Sequence, residues 1–233
     1  MHVPNWIGDQ HRSGALSSKV LTGPDGKTAA WIVDDFLQNE VLSKLSSLFT
    51  EDGVWEDSYG ITRRKESAVC TRDEWISAKP NDQFYHFKNL CGPVPNRPLA
   101  PGYLHWIKFK SLVQSEWLLG ALRRLTGIDD ELDAMVTGMI LERGHFLKFH
   151  SDAKPLRRLC GVFYVSDNWR QGYGGEFEMR AEEETVALIP PLRNRLLLFV
   201  TDNSQLHRIV PLTPEAGDWR RCSVTVWWSA RES

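Results

Sequence analysis

His150-Ser151-Asp152, answered far downstream by His207 and then Arg221, is the set of residues in this chain with the most evident chemistry. Two imidazoles and one carboxylate bind one face of a divalent iron and leave the other face open to a co-substrate and O2 together. Arg221 opens a strand-like run just beyond the last of these residues, where its planar guanidinium would grip a carboxylate co-substrate. Side chains two apart in an extended segment share a face, so His150 and Asp152 point together and Ser151 turns aside. His145 stands five residues before His150, an odd offset that puts it on the other face of a regular strand. It is therefore a poor substitute ligand. An HxD tripeptide alone is weak, since polar residues at a strand end produce it by chance. Its weight comes from its company: His207-Arg208-Ile209-Val210-Pro211, and the alternating run Arg221-Cys222-Ser223-Val224-Thr225-Val226-Trp227.

Elements that could bring these residues together follow from periodicity. Ala29 to Val33 reads as a short strand, and Val41, Leu42, Leu45, Leu48 and Phe49 form one apolar helix face. Trp117, Leu118, Ala121, Leu122 and Leu125 form a second, with Gly127 as its stop. From Met135 the period changes to that of strands: 135–141, 146–150, 159–165, 175–179, 185–189, 196–200 and 223–228. Many short strands after two helices predict a mainly β fold with flanking helices, and His207 can return to His150 and Asp152 only if the strands close on themselves. A double-stranded β-helix (jelly roll) does this. The whole of 1–233 reads as a single domain, with 135–230 as its jelly-roll core. Residues 51–104 break every long pattern, with turn signals at Lys79-Pro80-Asn81-Asp82 and Gly92-Pro93-Val94-Pro95. Such a stretch predicts short elements and a substrate-covering insertion.

Composition excludes several classes. Lys and Arg number 28 against 30 Asp and Glu, so no global charge drives the chain to nucleic acid or anionic lipid. No apolar run approaches the roughly 20 residues of a membrane span, and the start lacks the pattern of a signal peptide. Cys70, Cys91, Cys160 and Cys222 form no CxxC pair and read as reduced thiols of a cytoplasmic protein, two of them inside strands.

At these residues the chain resembles the Fe(II)/2-oxoglutarate-dependent oxygenases, most closely their prolyl 4-hydroxylase-like branch. The likeness is strongest from Phe146 to Trp228 and looser over Trp31 to Phe49. It implies His150, Asp152 and His207 as iron ligands, with Fe(II), 2-oxoglutarate and O2 as cofactor and co-substrates and room for ascorbate as a reductant. Gly161-Val162-Phe163-Tyr164-Val165-Ser166 is similar to the family strand whose Tyr meets the far carboxylate of 2-oxoglutarate, which implies that role for Tyr164. Gly174-Gly175-Glu176-Phe177 resembles a family turn, and the strand from Arg221 resembles the one whose basic residue pairs with the same carboxylate. Arg220 is the rival for that role; Arg221 shares parity with Ser223 and Thr225, which would turn Arg220 outward. Halogenating relatives carry Ala or Gly where Asp152 stands, so the resemblance implies a hydroxylase or another non-halogenating outcome.

The expected activity is therefore a 2-oxoglutarate-dependent dioxygenase that hydroxylates an unactivated C–H bond. A small molecule, such as an amino acid or natural-product intermediate, is the leading substrate class, and a prolyl or other side chain of a peptide or protein is the alternative. A non-catalytic metal- or ligand-binding β-roll is the competing reading from another class. Several features divide between function and plain structure: Arg157-Arg158 as holders of an acidic substrate or solvated charges, Trp227 as cavity wall or core packing. Phe84 to Phe87 and Tyr103 to Trp106 read as pocket lining or ordinary strands. Glu182-Glu183-Glu184 reads as a hairpin tip and Arg63-Arg64-Lys65 as a solvated turn.

Overall fold

The computed structural model describes residues 4–63, 66–92, 98–99, 101–181, 184–202 and 205–232. The elements run β1 (Lys19–Thr22), β2 (Thr28–Val33), α1 (Asn39–Ser46), β3 (Trp55–Arg63), β4 (Glu66–Cys70), α2 (Arg72–Ser77), β5 (Gln83–Leu90), α3 (Pro101–Val113) and α4 (Glu116–Thr126). They continue with β6 (Leu132–Leu141), β7 (Phe146–His150), β8 (Arg157–Tyr164), β9 (Phe177–Ala181), β10 (Glu184–Ile189), β11 (Leu196–Val200), β12 (Gln205–Ile209) and β13 (Arg221–Ala230).

The strands form one antiparallel path, β1-β2-β11-β8-β13-β6-β5-β7-β12-β9-β10, with β3 on β5 and β4 on β3. This path folds over on itself into a nearly closed jelly roll, and period-2 alternation sorts its side chains into two layers. On the helix side, Val33, Phe163, Leu196, Leu198, Val224, Val226 and Trp228 pack with Leu42, Leu45, Phe109, Leu118 and Leu122 in the main core. Their alternates Ala30, Ile32, Val162, Tyr164, Leu197 and Phe199 face inward against Phe177 and Met179 of the short strands. Arg221, Ser223, Thr225 and Trp227 alternate with Cys222, Val224, Val226 and Trp228 along β13, so their side chains take the inward face.

The α4 helix is stopped as its sequence requires: Ser115 Oγ accepts from Leu118 N–H at its start, and Gly127 closes it at φ 75°. The structure corrects one reading. Tyr103 to Trp106 belong not to a strand but to α3, whose buried Gly102, Trp106, Phe109, Leu112 and Val113 recur at helical spacing. Trp106 is buried in the core and Tyr103 packs against it, while His105 stacks on Trp6. Phe84 to Phe87 lie in β5, and the described residues of 51–104 hold β3, β4, α2, β5 and the start of α3, with β5 hydrogen-bonded to both β6 and β7 in the sheet. Arg64, Lys65, Pro93 to Pro95, Glu182 and Glu183 fall outside the described residues. Among the described residues, no helix is long and apolar enough to cross a membrane.

Candidate metal centre

Two antiparallel strands bring the distant histidines together. β12 pairs with β7, and His207 stands directly opposite His150 in the register. The chain leaves β7 after His150, and Asp152 turns back beside it. The ligand atoms of His150, Asp152 and His207 all lie within 4.8 Å of one another. His150 Nε2 is 3.9 Å from Asp152 Oδ1, His207 Nε2 is 3.6 Å from Oδ2, and the two imidazole centroids are 4.2 Å apart.

Each group is held in a state suited to metal. The Lys148 carbonyl, which can only accept, takes the proton of His150 Nδ1 at 2.9 Å and so leaves the Nε2 lone pair free. Burial and the nearby His207 hold the His150 pKa down to about 4, so its imidazole is neutral at physiological pH. His207 is buried between two rings, stacked on Phe177 at 4.9 Å and edge-on to Phe199 at 4.9 Å. Burial pushes the Asp152 pKa up, but contact with His207, His150 and the Trp227 indole outweighs it, and the net shift is downward. Trp227 Nε1 donates to Asp152 Oδ2 at 3.0 Å, and Arg157 Nη1 donates to Oδ1 at 3.2 Å and to the Asp152 carbonyl at 3.0 Å. The Arg157 guanidinium also lies over the Trp227 ring, 4.8 Å from its centroid.

Those contacts revise one reading made from sequence and decide between the two alternatives for Trp227. Arg157 does not project toward a substrate or into solvent; it braces the carboxylate, while its neighbour Arg158 pairs with Asp130 at 3.0 Å. Trp227 walls the cavity and donates to Asp152, whereas Trp228 is fully buried in the core. The signal for Trp227 was its shared parity with Arg221. For Arg157 no sequence signal existed, because its reach to Asp152 depends on the loop between β7 and β8.

A cavity runs from the triad to Arg221, walled by Val162, Phe177, Thr225 and Trp227. Arg221 is almost wholly buried, and its Nε donates to the Gly175 carbonyl at 2.8 Å and its Nη1 to Ser223 Oγ at 2.9 Å. Among the described residues no carboxylate pairs with it. The Tyr164 ring lies 4.9 Å from the guanidinium carbon, and among the described residues the buried Tyr164 hydroxyl has no hydrogen-bond partner. A buried cation without a counter-ion beside a hydroxyl without a partner is a costly arrangement, and an anionic ligand relieves both. Arg220 is only half-buried and does not line this cavity.

The Gly174-Gly175 turn sets Arg221 in place. Both residues have positive φ, 75° and 81°, and a Cβ at Gly174 would fall 2.1 Å from the Pro211 carbonyl oxygen. Only glycine lets the turn close far enough for Gly175 to accept from Arg221. His145, set aside as a ligand by its offset, is indeed absent from the triad and sits in the turn before β7 with Asp57 and His86.

The donor set and the anion-ready pair fit a facial iron site with a dicarboxylate co-substrate. Comparison with known proteins gives the same answer. A family model of the 2OG-Fe(II) oxygenase superfamily matches residues 134–229. No curated protein matches the chain in sequence. Among solved structures, a prolyl-4-hydroxylase from Pseudomonas putida superposes with a TM-score of 0.58 at 15% identity, covering 87% of this chain and 93% of that one. A Trichoplax adhaerens prolyl hydroxylase, solved with a peptide fragment of hypoxia inducible factor, gives 0.61 at 19% over 87% and 84%. A 2OG-Fe(II) oxygenase family oxidoreductase from Burkholderia pseudomallei gives 0.60 at 11% over 88% and 87%. At such identities these structures establish a common fold. The family match lies over the roll itself, residues 134–229, and with the His150, Asp152 and His207 donor set there it supports a 2-oxoglutarate-dependent dioxygenase that uses Fe(II), 2-oxoglutarate and O2.

Proposed function

We propose that His150, Asp152 and His207 hold the iron, that Arg221 and Tyr164 anchor the far carboxylate of 2-oxoglutarate, and that the enzyme hydroxylates an unactivated C–H bond. When bound, the iron, 2-oxoglutarate and O2 supply the oxidising chemistry; the chain supplies orientation and shelter from water. Lys148 fixes the His150 tautomer, while Trp227 and Arg157 fix the Asp152 carboxylate. The observation that carries the reading is Arg221: among the described residues it is a buried guanidinium with no carboxylate of its own, facing an unpartnered Tyr164 hydroxyl across from the triad.

Substrate would approach from the other side of His150, through a groove of about 630 Å³ walled by Thr62 and Ser67 of β3 and β4, Phe84 of β5, and the 149–155 segment. Phe84 stands edge-on to His150 at 5.9 Å, so residues 51–104 would cover the substrate as their place in the chain suggests. A volume in the range of roughly 300–1,000 Å³ suits a small molecule such as an amino acid or natural-product intermediate. A second reading, a side chain presented on a peptide, is favoured by the neighbouring edge: among the described residues β4 pairs with β3 alone, and its Ser67 lines the groove. Two structural neighbours named as prolyl hydroxylases support the same class. The four free cysteines support a reducing, cytoplasmic setting.

Succinate release tests all of this. With Fe(II), purified protein is expected to turn over 2-oxoglutarate, and Asp152→Ala to abolish that turnover. Arg221→Met is expected to raise KM for 2-oxoglutarate by roughly 10- to 100-fold with a smaller change in kcat. An unchanged KM in Arg221→Met would remove the anchor assignment, and full activity in Asp152→Ala would remove the iron assignment. Screening free amino acids and peptides for stimulated release, with mass analysis for one added oxygen, separates the two substrate classes.

A further inference from the structure

Outside the iron triad, a second set of two imidazoles and one carboxylate converges on the same sheet. Asp57 of β3, His86 of β5 and His145 of the turn before β7 place their ligand atoms within 4.8 Å of one another. Here β5 lies between β3 and β7, with Tyr59 opposite His86 and His86 opposite Phe146, so three neighbouring elements contribute one donor each. His86 Nε2 is 3.0 Å and His145 Nε2 3.9 Å from Asp57 Oδ1, and the imidazole centroids are 4.0 Å apart. The corresponding values in the iron triad are 3.9, 3.6 and 4.2 Å. Two ring nitrogens and a carboxylate oxygen on a zinc-sized ion sit at bond lengths of roughly 2.0–2.2 Å, hence about 3.4 Å from one another. The two Asp57 distances straddle that spacing.

We propose that Asp57, His86 and His145 form a second site for a divalent transition ion of the zinc–cobalt class. The donor set selects that class: imidazole nitrogen is a good donor for zinc, nickel, copper and cobalt, and a single carboxylate is too few oxygens for calcium. Burial grades across the site, with His145 inside, His86 stacked on Tyr59 at 4.5 Å, and the Asp57 side chain 43% exposed as the entry point. Bound there, an ion ties β3 and β5 to the turn that leads into the strand carrying His150. It leaves room for water on the Asp57 side and plays no part in the oxygenation.

Two contacts separate this site from the first and set its strength. His86 Nε2 donates to Asp57 Oδ1 at 3.0 Å, so a metal there displaces that proton and needs the Nδ1–H tautomer of His86. At His150 a carbonyl takes the Nδ1 proton, whereas at His145 the Glu142 N–H donates to Nδ1 at 3.2 Å and leaves the proton on Nε2. A metal at His145 Nε2 requires the other tautomer and gives up that turn hydrogen bond, a loss on the order of tenfold in affinity. The second site therefore binds more weakly than the first, and it fills after it.

Untagged full-length chain, stripped with chelator, is titrated with Co(II) and Zn(II) by calorimetry, and Co(II) binding is followed by its visible absorption. Native protein is expected to take up two ions in two resolved steps, and Asp57→Asn or His86→Gln only one. In His150→Ala/His207→Ala, one ion is expected to bind, and adding Asp57→Asn is expected to abolish it. Circular dichroism checks that each variant folds. Asp57→Asn in the otherwise native chain decides the matter if the double variant does not fold. A single step in the native protein, or a second step that survives both Asp57→Asn and His86→Gln, overturns the assignment.

Discussion

Tyr164 and Trp227 do opposite things to the empty protein. Among the described residues the Tyr164 hydroxyl is buried without a hydrogen-bond partner, so under the proposed function it costs stability until the far carboxylate of 2-oxoglutarate reaches it. Tyr164→Phe is accordingly expected to make the ligand-free chain about 1 kcal/mol more stable in urea unfolding, while raising KM for 2-oxoglutarate several-fold, about the worth of one hydrogen bond. A destabilised Tyr164→Phe would mean that the hydroxyl has a partner in solution. Trp227, by contrast, is satisfied through Asp152 and orients that carboxylate toward the two imidazoles. Removing a hydrogen bond to a metal ligand weakens metal affinity by about 10- to 100-fold. Trp227→Phe keeps a ring beneath Arg157 and loses only the donor, so Co(II) affinity is expected to fall within that range, as read by titration.

Among the elements, the short connection before β9 carries more of the site than its length suggests. Gly174 and Gly175 turn the chain at positive φ so that Gly175 accepts from Arg221 at the start of β13. A side chain at Gly174 meets the Pro211 carbonyl as well as an unfavourable backbone conformation. Gly174→Ala is expected to lower unfolding stability by roughly 1–3 kcal/mol, and to weaken 2-oxoglutarate binding together with it. Lost stability with an unaltered KM would separate the turn from the Arg221 position. The pairing of β7 with β12 is the other decisive element, since a one-residue slip in that register would move His207 to the opposite face from His150.

For the molecule as a whole, acid stability reports on the empty centre. His150 keeps its pKa near 4 in the fold, against about 6.5 when unfolded. Between those values the unfolded chain binds a proton that the native chain refuses, so the native state loses stability as pH falls from 6.5 to 4 and keeps its full share above 6.5. Asp152, whose pKa is lowered, acts in the same direction only below the ordinary carboxylate range. Metal-free protein is thus expected to lose on the order of 3 kcal/mol of unfolding free energy between pH 7 and pH 4 through this one histidine. His150→Gln should flatten that part of the profile, and an equally steep profile in the variant would reject the origin.

Period alone made legible the strands, the apolar faces of α1 and α4, the shared face of His150 and Asp152, and the parity of Arg221 with Ser223 and Thr225; the roll and the grouping of His207 with that pair came with the family resemblance. The features read from period are local or alternate along a single strand, and a single strand's parity is written in its own residues, whereas His207 meets His150 only through the pairing of β12 with β7. Helix α3 was hidden because its aromatic residues also fit a strand over a four-residue window, and only its continuation through Phe109 and Leu112 shows the helical period. Arg157 on Asp152, the solitary burial of Arg221, and the meeting of Asp57 with His86 and His145 belong to the tertiary structure alone. Each is a contact between side chains whose separation in space is set by how loops and neighbouring strands close, and no spacing along the chain encodes that distance.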